Sequence, residues 1–251
     1  MIAGIIDWLS DASHWSGADG IPLRLFEHVW YSALSLAIAA LIAIPLGLTI
    51  GHTGRGRFLV VNLAGAARAI PSLGLIYLMV LYFFSRVSGE SAFIVPTIIV
   101  LTVLAIPPIM SGAYAGVEGV DPAARDAAKG MGMTGGQVLS KVEVPNALPL
   151  IFSGFRSATL QVIATATLAA VIGAGGLGRF LIDGQKVLDY AQMSGGAVLV
   201  AVLALGTDGL LALVQRYAVS PGLTGRIARG GNTPKDVEIE LETRTVKAQA
   251  S

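Results

Sequence analysis

The 251-residue chain is 54% hydrophobic and only 13% charged, and its mean hydropathy is +0.71. A soluble globular domain carries about 25% charged residues, and a chain of this size cannot hide the deficit in one core because it still needs a polar surface. The composition therefore predicts an integral membrane protein and argues against a soluble enzyme, a disordered chain and a disulfide scaffold. Cysteine is absent, which excludes thiolate metal sites and a cysteine nucleophile. The net charge of +1 does not indicate a nucleic-acid partner, and none is expected.

Residues 1–28 are predicted to be an amphipathic lead-in outside the cytoplasm. Five apolar segments follow, each long enough to cross a bilayer, which takes about 20 residues. Their long apolar runs lack the alternation of barrel strands, so residues 29–217 are predicted to form an all-α, polytopic membrane helix bundle. Residues 218–251 are polar and charged and are predicted to be a disordered tail. The five predicted spans are Val29–Gly51, Phe58–Phe84, Ala92–Val117, Ala147–Ile172 and Ser194–Gln215.

The placement of Lys and Arg predicts the orientation, because basic residues accumulate in cytoplasmic loops. With the N-terminus outside, the inner segments hold eleven of these residues, the outer segments four and the spans two. Aromatic residues agree, since Trp30 and Tyr31 begin the first span and Tyr82 lies near the end of the second, both at the predicted outer surface. The sequence therefore predicts a multi-pass plasma-membrane protein with its N-terminus outside and its C-terminus inside.

Pro71 lies in the middle of the second predicted span. Proline removes a helical hydrogen bond and bends the helix that contains it. Two separate pieces would have about 13 residues each, too short to cross a bilayer that requires about 20. The prediction is therefore a single helix with a kink at Pro71.

The loop of residues 118–146, between the third and fourth spans, is predicted to begin with a short helix on the cytoplasmic side. Asp121 is suited to cap the N-terminus of this helix, with Pro122 in the first helical position. Gly130 and Gly132 are expected to end it.

A second short helix is predicted in the same loop. Thr134 and Gln137 have the spacing of a capping box, which would open a helix through Val142, and Pro145 is expected to stop it. A helix–glycine–helix element with small side chains suits docking into a groove on a partner, because small residues allow close backbone approach.

The spacing in this loop resembles the coupling motif of ABC importer permeases. That motif reads Glu-Ala-Ala, three residues, Gly, nine residues and then Ile-x-Leu-Pro. This sequence departs from it by Asp for Glu, Val for Ile and Val for Leu, which keep the charge sign and the apolar character. In the family, the loop rests on a cytoplasmic ATP-hydrolysing subunit and transmits its closure. The matching positions are Asp126, Ala127, Ala128, Gly132, Val142, Val144 and Pro145.

Further segments resemble the glycine betaine, carnitine and choline branch of that family. They are Ile70–Leu73, Gly119–Pro122 with Gly130–Thr134, and Ala164–Ala170 leading into Gly173–Gly178. The resemblance covers residues 29–217 and implies a type I importer permease fold that passes an osmoprotectant by alternating access. It implies ATPase subunits, an identical or sister permease and an extracytoplasmic solute-binding protein as partners, with no cofactor and no covalent chemistry on this chain. Methionine and phosphonate importers share the glycine-rich ending, so those solutes remain alternatives.

The glycine-rich segment formally fits the dinucleotide-binding pattern G-x-G-x-x-G. That site requires a βαβ unit, whereas here a predicted membrane helix comes before it. The segment is instead predicted to form a tightly packed turn at the outer mouth of the transport path, or simply to let helices pack closely. Its glycines are Gly173, Gly175, Gly176 and Gly178.

Three charged residues lie inside predicted spans, namely Arg68, Arg156 and Asp208. Each lies about 14–16 Å from the inner end of its span, at 1.5 Å per residue. A charge at that depth is costly unless it is paired or hydrated, so Asp208 is predicted to pair with Arg156 or Arg68. The alternative is that one of the three lines the solute path.

Other functions are weaker alternatives. The sequence contains no phosphate-binding loop of the form G-x-x-x-x-G-K-[ST], and its three histidines do not have metal-ligand spacing. A secondary transporter would show broken helices in paired repeats, and only Pro71 suggests a break. A purely structural membrane protein would not need the predicted helix pair.

Tyr77 and Tyr114 are candidate aromatic contacts for a quaternary ammonium, with packing as the alternative role.

Overall fold

The computed structural model describes residues 2–58, 60, 62, 65 and 69–220. Regular secondary structure within these ranges is helical. A π-helical turn covers Leu139–Glu143, and short 3₁₀ turns cover Ala12–Trp15 and Thr167–Ile172. The α-helices are α1 (Ile2–Ser10), α2 (Ile21–Thr53), α3 (Ser72–Phe84), α4 (Ser91–Glu118), α5 (Pro122–Gly130), α6 (Gly135–Val138), α7 (Val144–Ala166), α8 (Gly178–Val187) and α9 (Tyr190–Ala218).

Four helical segments of the described chain are long and apolar enough to span a membrane. They are α2, α4, the continuous 38-residue segment Gly135–Ile172 and α9, while α3 is apolar but shorter. The predicted all-α membrane fold is therefore confirmed. The helix of the first span begins at Ile21, earlier than the predicted Val29, because Pro22 favours a helix start.

Pro71 stands immediately before a helix instead of inside one. Ala69 is helical and Ile70 lies in a bend, while Pro71 is extended (φ −69°, ψ 106°) and immediately precedes α3. The proline ring disfavours helical geometry at the preceding residue and supplies no N–H. The prediction of one kinked helix is therefore wrong, and Arg68 lies outside the described residues.

The core forms where α2, α4 and α7 pack against one another. Leu101, Ile109 and Met110 of α4 are almost fully buried there. Glycines permit the closest approach: a Cβ on Gly112 would lie 2.6 Å from the Leu150 carbonyl oxygen, which no packed structure tolerates. Membrane helices associate largely through such small-residue contacts, because lipid provides no hydrophobic drive between them.

The N-terminal segment packs against the other end of the chain. Trp8 of α1 is buried with Phe180 of α8, at a ring-centroid distance of 5.2 Å in an edge-to-face arrangement. Leu199 and Leu203 of α9 pack against the same cluster. Burying these large side chains attaches α1 and α8 to α9.

Candidate coupling site and solute path

The first helix of the predicted coupling loop forms as its sequence indicates. The Asp121 carboxylate accepts a hydrogen bond of 2.9 Å from the Ala123 N–H, and Pro122 occupies the first turn of α5. The cap satisfies an N–H that has no partner within the helix. The predicted start of this helix is confirmed.

Glycine ends α5 in a Schellman motif. Gly132 has φ +83°, and its N–H donates to the Lys129 carbonyl at 2.9 Å. The Met133 N–H donates to the Ala128 carbonyl at 3.2 Å, which completes the motif. The prediction that glycine stops this helix is confirmed.

The second helix starts as predicted but does not stop at Pro145. The capping box of Thr134 and Gln137 is present, and the Thr134 N–H donates to Gln137 Oε1 at 2.8 Å. The helix then passes through the π turn into α7, with Pro145 in the first turn of α7. Pro145 supplies no N–H, and the π turn before it absorbs the change in hydrogen bonding. The prediction of a stop at Pro145 is wrong, and the loop is continuous with the fourth span.

One side of α5 is attached to the protein and the other is exposed. Ala128 of α5 is buried, as is Val138 of α6. The Asp126 side chain is 78% exposed and Met131 is 71% exposed. Of the motif positions, Asp126, Ala127 and Gly132 are exposed, Ala128 is buried, and Val142, Val144 and Pro145 are half-buried.

Sequence reasoning missed the role of Glu143. This acid is 1% exposed and lies between His52 of α2 and Arg125 of α5. The signal in the sequence is an acidic residue between Val142 and Val144, where the motif is otherwise apolar. A carboxylate among apolar neighbours is buried only if it has partners.

The intramembrane charges Arg156 and Asp208 form an ion pair. The Arg156 guanidinium donates from Nε to Oδ1 at 2.9 Å and from Nη2 to Oδ2 at 2.8 Å. It also donates to Gln215 Oε1 at 3.3 Å. Two parallel bonds of this kind combine charge with fixed geometry. The pairing predicted from their common depth is confirmed for Arg156, and it joins α7 to α9.

The glycine-rich turn packs tightly against α2. The Gly176 N–H donates to Glu27 Oε2 at 2.7 Å, and a Cβ on Gly175 would overlap the same carboxylate. Gly173 and Gly176 both have positive φ, at 93° and 92°, and Gly178 lies against the backbone of the preceding 3₁₀ turn. Side chains would therefore disrupt this turn, whose role as an outer gate stays a prediction.

A polar groove of about 340 Å³ lies between α4 and α7. Polar side chains in membrane helices usually face a bundle interior or a water-filled path, because contact with lipid is costly. Tyr77 and Tyr114 do not line it; Tyr77 is 45% exposed on α3, and Tyr114 is buried in the core. The polar lining consists of Ser111, Ser153, Ser157 and Gln161, beside prolines and glycines.

The described residues contain no group of three or more His, Cys, Asp or Glu side chains placed to hold a metal ion. The features of this site are an exposed short helix, α5, beside a second helix that continues into the fourth span, an intramembrane ion pair and a polar groove.

The fold is that of type I ABC importer permeases. A chain of the inward-facing MetNI methionine ABC transporter superposes with a TM-score of 0.65 at 23% identity, covering 78% of this chain and 95% of that one. A chain from a crystal structure of an amino acid ABC transporter with histidines gives a TM-score of 0.62 at 20% identity, covering 77% and 92%.

Curated relatives match most of the chain. The glycine betaine/carnitine/choline transport system permease protein OpuCB of Bacillus subtilis is 34% identical, over 79% of this chain and 88% of its own. The choline transport system permease protein OpuBB of the same organism is 32% identical, over 80% and 89%. The osmoprotectant import permease protein OsmW of Salmonella typhimurium is 35% identical, over 79% and 91%.

Residues 43–224 match the family model of the binding-protein-dependent transport system inner membrane component. The chain belongs to this family. It is a membrane-embedded permease component of a transport system.

Proposed function

We propose that this chain is the permease subunit of an ABC importer that carries an osmoprotectant, such as glycine betaine, choline or carnitine, into the cytoplasm. The observation that carries the proposal is the match over most of the chain to relatives named for these quaternary amines. Methionine is the competing solute, because it appears in the name of a structural neighbour that is 23% identical in sequence to this chain. Phosphonates are a further alternative.

The power for transport would come from separate ATPase subunits. The sequence has no phosphate-binding loop of its own. The exposed side of α5, with Asp126 and Ala127, would dock on the ATPase in the cytoplasm. The distribution of Lys and Arg supports this, because it predicts that the loop containing α5 lies on the cytoplasmic side. The continuous helix from α6 into α7 would then pass the movement of α5 into the membrane.

The solute path would run along the polar groove between α4 and α7. The groove is open along one side of this chain, so an identical or sister permease would close it. An extracytoplasmic solute-binding protein would deliver the solute at the end of the bundle that carries the glycine-rich turn. Arg156 and Asp208 bind each other, which supports a structural role for these charges.

Solute uptake tests the assignment directly. The complex with its ATPase and solute-binding protein is reconstituted in vesicles, and ATP-dependent uptake of labelled glycine betaine is measured. Choline or carnitine is added at about ten times its own dissociation constant for the transporter. By mass action, we expect it to reduce the uptake of labelled glycine betaine about tenfold. Competition by methionine or phosphonates alone would contradict the solute assignment. Uptake driven by an ion gradient without ATP would contradict the importer class.

The absence of native cysteine makes the groove accessible to thiol labelling without background. Ser153→Cys and Ser157→Cys place single thiols in the groove, and a membrane-impermeant trimethylammonium methanethiosulfonate is the probe. We expect these thiols to react at least about tenfold faster than a thiol in lipid, because the reactive thiolate forms only in a hydrated environment. Bound solute is expected to slow the reaction.

Leu205→Cys is the matched control, since Leu205 is 72% exposed on α9 and is expected to face lipid. Equal labelling rates at Leu205→Cys and at the groove positions would contradict a hydrated path between α4 and α7.

A further inference from the structure

Glu143 has polar partners on two other elements. Arg125 Nε of α5 lies 2.7 Å from Oε1, an ion pair in which the N–H is not aligned with the oxygen. His52 Nδ1, in the last turn of α2, lies 2.5 Å from Oε2. Each carboxylate oxygen of this one buried side chain is therefore engaged by a different helix.

Arg125 also contacts a third helix. Its Nη2 donates to the Val117 carbonyl in the last turn of α4. Carbonyl groups at a helix C-terminus have no partner within the helix, and the planar guanidinium can bind such an oxygen and a carboxylate at once. The ends of α2 and α4 also touch here, since a Cβ on Gly51 would lie 2.8 Å from the Val117 Cβ.

The position of Glu143 in the chain gives this cluster its mechanical meaning. Glu143 ends the π turn that leads from α6 into α7, so it belongs to the same continuous helix as the fourth span. A buried charge that loses its partner is costly. Movement of α5 away from the bundle would therefore unpair Glu143 from Arg125, and it would break the bond from Arg125 to Val117 at the end of α4.

We propose that Glu143 is a positioning residue that couples α5 to the ends of α2, α4 and α7, so that a push on α5 moves these helices as one unit. This rests on the proposed docking of α5 on an ATPase subunit. Without the ion pair to Glu143, α5 would be held by its chain connections, by the bond from Arg125 to Val117 and by small apolar side chains such as the buried Ala128. Glu143 does not need to touch the solute or ATP for this role.

The test uses the complete transporter in vesicles and the variant Glu143→Gln, which keeps the shape of the side chain and removes its charge. Three quantities are measured: ATPase subunit bound per permease, stimulation of ATP hydrolysis by the loaded solute-binding protein, and solute transported per ATP hydrolysed. We expect normal assembly, with stimulation reduced about tenfold, within the range typical of coupling between distant sites. We also expect fewer solute molecules transported per ATP.

Glu118→Gln is the matched control. Glu118 also lies at the end of α4 and pairs with Arg57 at 3.3 Å, but both side chains are largely exposed, at 45% and 70%. Such surface pairs contribute little, so its three measured quantities are expected to equal those of the unmodified protein. Arg125→Lys is the second variant, used if Glu143→Gln does not accumulate. It keeps the charge but cannot engage Glu143 and Val117 together, and a partial loss of stimulation is expected.

The outcomes separate this inference from the function on which it rests. If the unmodified complex binds no ATPase, the importer function itself fails. If the unmodified complex is coupled and Glu143→Gln, or Arg125→Lys in its place, is coupled equally well, the positioning role is overturned. A loss of activity that only follows a loss of assembly would assign Glu143 to folding and would likewise overturn it.

Discussion

Replacing Asp208 with asparagine is expected to lower the amount of folded protein in the membrane by about tenfold or more, because the Arg156 charge then loses its carboxylate partner at membrane depth. The two side chains share two hydrogen bonds, at 2.8 and 2.9 Å, and Gln215 offers the guanidinium only one neutral acceptor, at 3.3 Å. Membrane fractions and thermal unfolding in detergent measure the effect.

Exchanging the two charges provides the control for this prediction. The double variant Arg156→Asp with Asp208→Arg keeps opposite charges on α7 and α9, so it is expected to recover a substantial part of the loss seen in either single variant. Such non-additivity is what a direct interaction produces. Losses that simply add would show that the pair observed in the structure does not stabilise the bundle.

Replacing Gly132 with valine is expected to reduce ATP-dependent uptake by about 5–30-fold. A left-handed conformation costs an L-residue about 1–2 kcal/mol, and an energy of that size changes an equilibrium by about 5–30-fold. The Gly132 backbone has φ +83°, and a Cβ there would meet nothing within 4 Å, so the penalty comes from the backbone alone. Losing the Gly132 cap is expected to unwind the exposed end of α5. Co-purification of the ATPase with the permease measures whether the ATPase still docks on α5.

Two variants isolate this backbone effect. Gly130→Val places the same side chain in the last turn of α5, where φ is not positive and a Cβ also meets nothing within 4 Å. It is expected to lose much less uptake. Gly132→Asn is expected to retain most uptake, since asparagine tolerates the left-handed region best among residues with a side chain. Equal losses for all three variants would contradict a role for the left-handed cap.

The two prolines show where sequence reasoning about helices reaches its limit. The sequence predicts a bend at Pro71, which instead lies just before a helix, and a stop at Pro145, which is instead accommodated within one. Proline removes the same N–H in both places. What differs is the neighbouring backbone, because the π turn before Pro145 absorbs the change in hydrogen bonding and Ile70 before Pro71 leaves the helix.

Features that depend on nearby residues could be predicted from the sequence alone. The membrane class follows from apolar runs, the start of α5 from Asp121 and Pro122, and its end from Gly132. Each of these signals acts within a few residues, through hydrogen bonds to adjacent backbone groups or through the preference of a whole segment for lipid. A pairing of Asp208 with Arg156 or Arg68 could also be predicted, because equal depth in a bilayer leaves a charge few possible partners, and the structure selects Arg156.

Which distant residues meet depends on how the helices pack, and the sequence does not predict it. Glu143 contacts His52 across 91 positions of the chain, and Glu27 receives the Gly176 N–H across 149. Neither contact has a local signature, since a carboxylate at a helix end is compatible with many partners and with water. The packing of α2, α4 and α7 selects the partners of Glu143, because it buries this carboxylate and leaves it only the donors that the neighbouring elements supply.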